Sequence, residues 1–373
     1  MTNMRKFLLG LAVMLPAAGV NAEPYLAVRT GFKCSQCHVN PIGAGIRTDY
    51  GTAYTEYLLL MTQTQQLMKA QQGGQTSFDP KLNNSITVGG NFRMENVGTG
   101  SYSYADTNYN SVIAKGSNTF NVKEGNFFIN IDLIKNFLNL YLDENIWQAP
   151  GPREVWAMVS NLPLNGYIKA GQMLLPYGLR LMDDDAFIRN KTFYTFNNPD
   201  KAVEVGLEPG PLSLTLNLTQ NRFSSVGSLN FRNFRVGGSF GSGFTSYRQT
   251  FDQSYGPFVG ANFGRFTLMS EVDFIRKPNN IPGLPNIHQL AEFYEVNFLP
   301  WQGFNVKGTY EYFDRNRDVS NTRDGQDRWT FGVEPFVARF LQLGVYYRIN
   351  RFIPQSVGSD NQSMLITRAH VFF

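Results

Sequence analysis

Residues 212–219 read LSLTLNLT, and this stretch shows the alternation that decides the fold of the chain. Leucine occupies positions 212, 214, 216 and 218, whereas the positions between and after them are Ser, Thr, Asn and Thr. Side chains on a β-strand point alternately to opposite faces, so one face of this segment is apolar and the other is polar. Such a strand suits a soluble sandwich as well as a membrane barrel, and the segment alone does not separate the two.

The same alternation recurs through the rest of the chain. Residues 127–133, 304–312 and 341–350 each place apolar side chains on one face and mostly polar or charged ones on the other. Strands of about ten residues with polar inner faces are typical of outer-membrane β-barrels. A helical membrane protein is not expected, because no segment after the first 22 residues approaches the roughly 18 consecutive apolar residues of a membrane-spanning helix.

The connections between these segments differ in length in a regular way. Short turns are predicted at 210–212, 241–243 and 300–303, and long polar loops at 98–118, 176–198, 277–286, 314–327 and 353–363. Barrels of the outer membrane have short periplasmic turns and long extracellular loops. The sequence therefore predicts an all-β antiparallel barrel of about 16 strands over residues 83–373, with both termini in the periplasm.

The last strand carries a further indication of this class. The chain ends in MLITRAHVFF, in which Leu365, Thr367, Ala369, Val371 and Phe373 share one face. A terminal amphipathic strand ending in Phe resembles the segment that the barrel-assembly machinery reads on outer-membrane proteins. The same alternation predicts that Arg368 and His370 face the lumen, while the apolar face contacts membrane lipid.

The N-terminus has the features of an export signal. Arg5 and Lys6 precede the apolar run FLLGLAVMLPAAGV, and Val20-Asn21-Ala22 provides a small-residue cleavage site. We therefore expect a signal peptide over residues 1–22, a second segment over 23–82 and the barrel over 83–373. Removal of two of the 33 basic residues leaves 31 against 29 acidic ones, a net charge of +2. A charge so close to zero does not favour a nucleic-acid partner.

The second segment contains both cysteines of the chain, in Cys34-Ser35-Gln36-Cys37-His38. C-x-x-C-H is the attachment pattern of c-type haem, in which both thiols bind one porphyrin and the adjacent histidine coordinates the iron. A disulfide in the oxidising periplasm and half of a zinc site are the alternatives. Export and the lack of any other cysteine favour one covalent haem, held by Cys34, Cys37 and His38.

Other residues are candidates for the same site. Arg29, Lys33 and Arg47 flank the motif and could pair with haem propionates or remain solvated. Met61 and His370 are candidates for the second axial position. Methionine in that position would raise the reduction potential relative to histidine. Residues 50–70 predict an amphipathic helix, whose apolar face would carry Tyr50, Tyr54, Tyr57, Leu58, Met61 and Met68.

The segment PYLAVRTGFKCSQCH (24–38), followed by a barrel, resembles the fused outer-membrane monohaem cytochrome–porins, a family that includes iron(II)-oxidising cytochromes. The similarity lies in Arg29, Thr30 and Gly31 ahead of the haem motif, and in the single barrel behind it. The next stretch, VNPIGAGIRTDYG (39–51), departs from the family pattern, and GQMLLPYGLR (171–180) resembles a strand and loop of phosphate-selective porins. The resemblance implies electron transfer between an extracellular donor such as Fe(II) and periplasmic cytochromes or another electron carrier.

Carboxylates that are predicted to face the lumen bear on the donor. Asp143, Asp273 and Glu311 would face the extracellular half, and Asp183, Asp184 and Asp185 would lie in the loop at its mouth. A negative mouth would concentrate divalent cations, although such charges could equally pair with lumen Lys307, Arg348 and Arg368. Two functions follow: an outer-membrane electron conduit, or a solute porin whose haem segment is a plug or sensor. The electron conduit would include an Fe(II)-oxidising activity. The sequence contains no hydrolase or transferase motif.

Overall fold

The structure is a computed structural model that describes residues 23–62, 64–66, 79–105, 111–147, 150–245, 250–279, 284–319, 325–353 and 362–373. The predicted signal peptide, residues 1–22, and Met68 of the predicted helix lie outside the described residues. In these ranges, sixteen antiparallel strands form one closed barrel, as the sequence predicts. No helix in the described part of the chain is long and apolar enough to cross a membrane.

The strands follow one another around the barrel in chain order. The eighteen strands of the described residues, sixteen of which form the barrel, are β1 (Ile86–Thr99), β2 (Tyr102–Ala105), β3 (Ser111–Ala114), β4 (Ser117–Ile134), β5 (Leu138–Asn145), β6 (Gly151–Leu162), β7 (Gly166–Met173), β8 (Asp200–Leu207), β9 (Leu212–Thr219), β10 (Arg222–Phe231), β11 (Phe234–Thr245), β12 (Thr250–Phe263), β13 (Phe266–Lys277), β14 (Ile287–Trp301), β15 (Phe304–Asp314), β16 (Gly325–Ala338), β17 (Leu341–Ile353) and β18 (Gln362–Phe372). β2 and β3 form a separate hairpin between β1 and β4.

The first and last strands pair and close the barrel. β1 pairs with β18 in a register that places Arg93 opposite His370 and Asn91 opposite Phe372. The backbone of Phe373 also exchanges hydrogen bonds with Gly90. Closure leaves neither strand as an edge, so every strand of the barrel finds backbone partners on both sides.

The two faces of the strands differ as LSLTLNLT predicts. In β9, Asn217 is 1% exposed and Thr215 5%, whereas Leu216 and Leu218 are 41% and 63% exposed. The leucine face therefore points out of the barrel and the polar face points in. In a soluble sandwich the apolar faces would point inward. An apolar exterior around a polar interior is the arrangement of an outer-membrane barrel.

Connection lengths alternate between the two ends of the barrel. The turns at 208–211, 232–233, 264–265 and 302–303 are short and lie at the end where β1 begins and β18 ends. The long loops lie at the other end. The predicted turn at 241–243 is wrong, because these residues continue β11 up to Thr245; Gly241 and Gly243 are tolerated in the strand, where they pair with Ser224 and Arg222.

Two segments fill the barrel interior. One is the connection between β7 and β8, which runs inward and contains the short helix Phe187–Asn190. The other is the N-terminal segment, with α1 (Pro24–Thr30), α2 (Cys34–Cys37) and α3 (Asp49–Tyr54), followed by a π-helical turn over Thr55–Leu59. Together with inward-facing side chains of the wall they form a buried apolar cluster that includes Tyr25, Val28, Leu179, Phe258 and Phe293.

The helix predicted over residues 50–70 is shorter than expected. Leu60 has extended backbone angles and ends the π-helical turn, so Met61 starts a new segment. The predicted apolar face is also wrong: Tyr57 and Leu58 are 68% and 54% exposed, while Thr55 and Leu59 are buried. The π-helical turn changes the angle between successive side chains, which rotates a different face toward the barrel wall.

Candidate functional site

Backbone and side-chain contacts hold the cysteine motif at the short-turn end of the barrel. The Lys33 ammonium donates to the carbonyls of Glu208 and Leu212 at 2.8 and 2.7 Å, and the Ser35 hydroxyl donates to the Glu208 carboxylate at 2.5 Å. Gly31 lies so close to the Arg232 backbone that an added Cβ would be 2.8 Å from its Cα. With a φ of 75°, Gly31 both ends α1 and permits this approach.

The stretch after the motif is held by a buried polar network. The Asn40 amide donates to both Glu154 carboxylate oxygens at 3.3 and 3.2 Å, and its oxygen accepts from the Lys169 ammonium at 3.1 Å. Lys169 in turn pairs with Glu204 at 2.7 Å, and both side chains are fully buried. A buried hydrogen-bond network that includes the Lys169–Glu204 ion pair holds residues 38–47 on strands β6, β7 and β8.

The motif itself forms one helical turn. The Gln36 side chain accepts from the Lys33 amide at 2.9 Å, and the His38 amide donates to the Cys34 carbonyl at 2.9 Å. Both cysteines carry free thiols in this structure. Burial, and secondarily Cys34, raises the pKa of the Cys37 thiol to about 11, unlike the lowered pKa of a catalytic thiolate.

A tight turn brings the chain back over the motif. Gly43, Ala44 and Gly45 all have positive φ angles, of 89°, 67° and 66°. An added Cβ at Gly43 would lie 3.6 Å from the Cys34 sulfur, and one at Gly45 would lie 1.8 Å from the Tyr141 hydroxyl. The glycines therefore permit both a left-handed backbone and a close approach to the motif and the wall.

Cys34, Cys37 and His38 line a common cavity. Its walls combine the N-terminal segment, residues 176–182 of the inner loop, and strands β9, β10 and β11. Apolar lining is contributed by Leu26, Ala27, Phe32, Ile42, Leu59, Leu179 and Phe196.

His38 is a buried side chain for which the described residues supply no hydrogen-bond partner. The residue is 2% exposed, and neither ring nitrogen meets hydrogen-bond geometry. Burial, followed by the charge of Arg47, lowers its pKa to about 3, which the backbone of Gly45 and Ala44 only partly offsets. A neutral imidazole with a free nitrogen is the form that coordinates a metal. Two thiols and a neutral imidazole on one apolar cavity are the donor set that a covalent haem would require.

The three predicted propionate partners take different positions. Lys33 and Arg47 line the cavity, whereas Arg29 is not among its lining residues and donates to Asn262 at 3.5 Å. One terminal nitrogen of Arg47 is buried without a partner, and its guanidinium lies 5.3 Å from the Phe372 ring centre. Burial lowers the Arg47 pKa to about 9, so this side chain remains charged at neutral pH.

The two candidates for the second axial position lie away from the cavity walls. The Met61 amide donates to the Phe336 carbonyl at 3.2 Å, next to the turn between β14 and β15. The ring nitrogens of His370 face the Gln342 and Asn91 side-chain oxygens at 3.3 and 2.7 Å. As predicted, His370 faces the lumen, but both of its nitrogens have partners. A role in haem ligation stays a prediction for both residues, and Met182 is a methionine that does line the cavity.

Sequence reasoning missed Arg180, which also lines the cavity. Its three guanidinium nitrogens are inaccessible to solvent and have no hydrogen-bond partner within the described chain. Burial lowers the pKa of this guanidinium, and the nearby Glu154 raises it. The one sequence signal was GQMLLPYGLR, which marks the end of a strand and the start of a long loop but does not show that the loop turns inward.

The lumen carboxylates face inward, as predicted, and they have partners there. Asp143 pairs with Arg153 at 2.7 Å, Glu311 with Arg328 at 2.6 Å, and Asp273 accepts from the Tyr177 hydroxyl at 2.8 Å. Asp183 pairs with Arg348 inside the barrel, so the inner loop does not hold it at the mouth. Within the described residues no group of three or more His, Cys, Asp or Glu side chains is arranged to hold a metal ion. Asp143 and Glu311 thus pair with arginines of neighbouring strands, and Asp273 is bonded to a hydroxyl of the inner loop.

Solved structures of outer-membrane porins have the same fold. OmpT of Vibrio cholerae aligns with a TM-score of 0.54 and 12% identity, over 79% of this chain and 100% of that chain. The anion-selective porin from Comamonas acidovorans aligns at 0.57 and 10%, over 78% and 99% of the two chains. The outer-membrane channel DcaP of Acinetobacter baumannii aligns at 0.56 and 8%, over 80% and 100%.

No protein-family model and no curated protein sequence matches the chain. At identities this low, the structural likeness concerns the fold and not the function. The chain has the 16-strand antiparallel fold of porin-like outer-membrane channels.

Proposed function

We propose that this protein is an electron-transfer protein of the bacterial outer membrane, in which a single c-type haem is held inside a porin-like barrel. The haem would be joined to Cys34 and Cys37 and coordinated by His38. The observation that carries the proposal is that these three side chains of a C-x-x-C-H motif line one cavity, where the buried His38 ring has no hydrogen-bond partner among the described residues.

The residues around the motif would bind and orient the group. Lys33 and Arg47 provide positive charge at the cavity for carboxylate substituents, and the apolar walls exclude water from the ring. When bound, the haem would supply a one-electron Fe(III)/Fe(II) couple. The Asn40 network would keep the motif in register with the wall, so that the two thiols and the imidazole approach from one side.

The position of the cavity supports the proposal that the electron donor and the electron acceptor approach from opposite sides of the membrane. It lies toward the short-turn end, which we assign to the periplasm together with both termini, as in other barrels of this class. A periplasmic cytochrome or other carrier would then take electrons near that end. A second cavity shares Glu23 and Met182 with the first and is also lined by Asp183 of the inner loop and Arg348 of β17. A small extracellular donor such as Fe(II) that entered this second cavity would lie nearer to the proposed haem.

The test uses the full chain, expressed in a host competent for cytochrome c maturation and purified from its outer membrane. We expect haem stain on the full-length band after denaturing electrophoresis, and reduction of the haem by added Fe(II). Cys34→Ala should lose donor-driven reduction but keep the heat-modifiable mobility of a folded barrel. Ser35→Thr, which keeps the hydroxyl that contacts Glu208, is the matched control beside it. Absence of covalent haem in the unaltered protein, or normal donor oxidation by intact Cys34→Ala cells, would contradict the proposal.

The second candidate is a solute porin whose N-terminal segment is a plug or sensor. The observation in its favour is the fold, since the structures with which the barrel aligns include porins and an outer-membrane channel. This candidate predicts steady ion conductance of the full chain in planar bilayers. The electron-transfer proposal predicts a barrel that is nearly closed to ions and contains haem.

A further inference from the structure

We propose that Arg180, on the inner loop, binds a carboxylate of the group held by Cys34, Cys37 and His38, so that the haem site has two halves. One half is the N-terminal segment, and the other is the loop between β7 and β8. This inference rests on the proposed function and adds a residue for which the motif gives no indication. It follows from the position of Arg180, from its missing partner and from the way its backbone is fixed.

The position of Arg180 is set by its neighbours on the loop. The Gly178 amide donates to the Ser239 hydroxyl at 2.8 Å, and the Leu179 amide donates to the Glu271 carboxylate at 2.6 Å. Gly178 has a φ of 55°, and an added Cβ would lie 1.9 Å from a Glu271 oxygen. Two strands of the far wall, β11 and β13, therefore hold the loop backbone directly before Arg180.

Three other arginines of the lumen pair with carboxylates, whereas the Arg180 nitrogens have no such acceptor among the described residues. Arg153 pairs with Asp143, Arg328 with Glu311, and Arg368 with Glu95 at 2.7 Å. The guanidinium of Arg180 lies 5.0 Å from the Phe196 ring centre, but its three nitrogens have no acceptor among the described residues. A buried guanidinium whose nitrogens have no hydrogen-bonded acceptor is costly, even with the Glu154 carboxylate nearby. An anion in the adjoining cavity would remove this cost.

The chemistry of the cavity indicates which anion fits. The Arg180 side chain lines the same cavity as Cys34 and His38. A haem attached to Cys34 and Cys37 would bring two propionates into this space. A guanidinium fork matches the planar carboxylate and is the usual partner in such buried pairs. The long side chain can turn its nitrogens toward a carboxylate while the backbone stays fixed.

A second arginine of the same loop provides a matched control. Arg189 is also buried, lies 5.5 Å from the same Phe196 ring and donates to the Tyr177 carbonyl at 3.3 Å. It is not among the residues that line the cavity. Arg189→Gln therefore removes an equal charge and disturbs the same loop, but should leave the haem carboxylate with its partner.

The experiment measures the midpoint potential of the haem by optical redox titration in the full chain, together with covalent haem content. A nearby positive charge favours the reduced iron, so Arg180→Gln should lower the potential. We expect at least a tenfold change in the reduction equilibrium, about 59 mV for one electron. Arg180→Lys should recover much of this change, and Arg189→Gln should remain near the unaltered protein.

The outcomes separate this inference from the proposed function. Lack of covalent haem in the unaltered protein would end both. Haem present with an unchanged potential in Arg180→Gln, or an equal shift in Arg189→Gln, would overturn the Arg180 assignment alone. A potential that follows added chloride or phosphate would assign Arg180 to a diffusible anion and likewise overturn it. If Arg180→Gln fails to assemble, resonance Raman of Arg180→Lys must show a shifted propionate vibration; an unchanged one would overturn it.

Discussion

Gly45 is a residue at which the backbone of the N-terminal segment closely approaches the barrel wall. Its φ of 66° is left-handed, and a Cβ there would overlap the Tyr141 hydroxyl at 1.8 Å. Ala44 beside it already has a φ of 67°, so a left-handed backbone alone is tolerated in this turn. Since that backbone costs a non-glycine residue roughly 1–2 kcal/mol, the larger part of any effect at Gly45 must come from the overlap.

We therefore expect Gly45→Ala to undock residues 38–47 from the wall. The measurement is the rate at which a protease removes the N-terminal segment from the folded barrel, and it should rise at least tenfold. Gly45→Ala combined with Tyr141→Phe should recover most of the protection, because the hydroxyl is the atom in closest contact. Ala44→Gly, which relaxes the backbone without adding atoms, should not accelerate cleavage. Equal protection of Gly45→Ala and the unaltered chain would show that the turn does not touch Tyr141.

The motif residues and the other site residues differ in how far the sequence could predict them. Cys34, Cys37 and His38 are local: one helical turn places them together whatever surrounds it. Arg180 is about 140 positions away and approaches them only because its loop turns into the barrel. Arg29, by contrast, is adjacent in sequence but lies on the side of α1 that faces Asn262. A search limited to residues near the motif in sequence therefore includes Arg29, which does not line the cavity, and omits Arg180, which does.

At the scale of elements, the inner loop is the part that strand patterns do not describe. Alternation and turn residues predict where β7 ends and β8 begins, but a long polar loop reads the same whether it lies outside or inside. Its inward path depends on partners supplied by distant strands: Asp273 for Tyr177, Glu311 for the Phe187 amide, and Arg348 for Asp183. None of these pairings has a local sequence signal.

Asp183 makes the docking of this loop dependent on pH. Burial would raise its pKa, but the charges of Arg348, Arg328 and Arg368 outweigh burial and hold the pKa well below its usual range. A carboxyl whose folded pKa is depressed stabilises the docked loop above its unfolded pKa, about 3.9, and this contribution is lost as the pH falls through the lower folded value. The loop should therefore stay docked at pH 7 and begin to loosen only below about pH 4.

Asp183→Asn should remove this contribution already at pH 7. A charge-assisted hydrogen bond contributes about 1.5–3 kcal/mol, so amides 181–190 should exchange hydrogen roughly 10- to 100-fold faster, after correction for intrinsic exchange. Asp184→Asn is the control, because burial raises the pKa of Asp184 and the charged form is not favoured by docking. Faster exchange in Asp184→Asn than in Asp183→Asn would contradict the assignment of the pH dependence to Asp183.

At the scale of the whole molecule, the sequence was most informative about the barrel. Period-two alternation, the export signal and the aromatic C-terminus predict a closed barrel of about 16 strands, and the structure confirms that number. The pattern is reliable because lipid outside and polar groups inside act on every strand in the same way. It is silent on how the interior is filled, since polar inner faces suit water, a loop or a docked segment equally well.

Two segments lie against the inner wall of the barrel, one behind the other along its length. The N-terminal segment occupies the short-turn half, where Lys33 contacts Glu208 and Leu212. The inner loop crosses the remaining lumen, where Leu179 contacts Glu271 and Phe187 contacts Glu311. Two obstructions in series behave as resistances in series, so removing either one leaves the other to limit the current.

Planar-bilayer recordings of three variants test this arrangement: a deletion, a loop replacement and the combination of both. Deletion of residues 24–66, or replacement of 177–196 by a short Gly-Ser linker, should each raise the conductance only slightly above the low value of the full chain. The double variant should conduct severalfold more than the sum of the two single gains. β1 and β18 close the barrel without either segment, so all three variants should keep heat-modifiable mobility.

Shortening the connection between β15 and β16 is the control and should leave the current unchanged. Full conductance after the N-terminal deletion alone would show that the inner loop does not obstruct the lumen, and a high current through the intact chain would favour the solute porin.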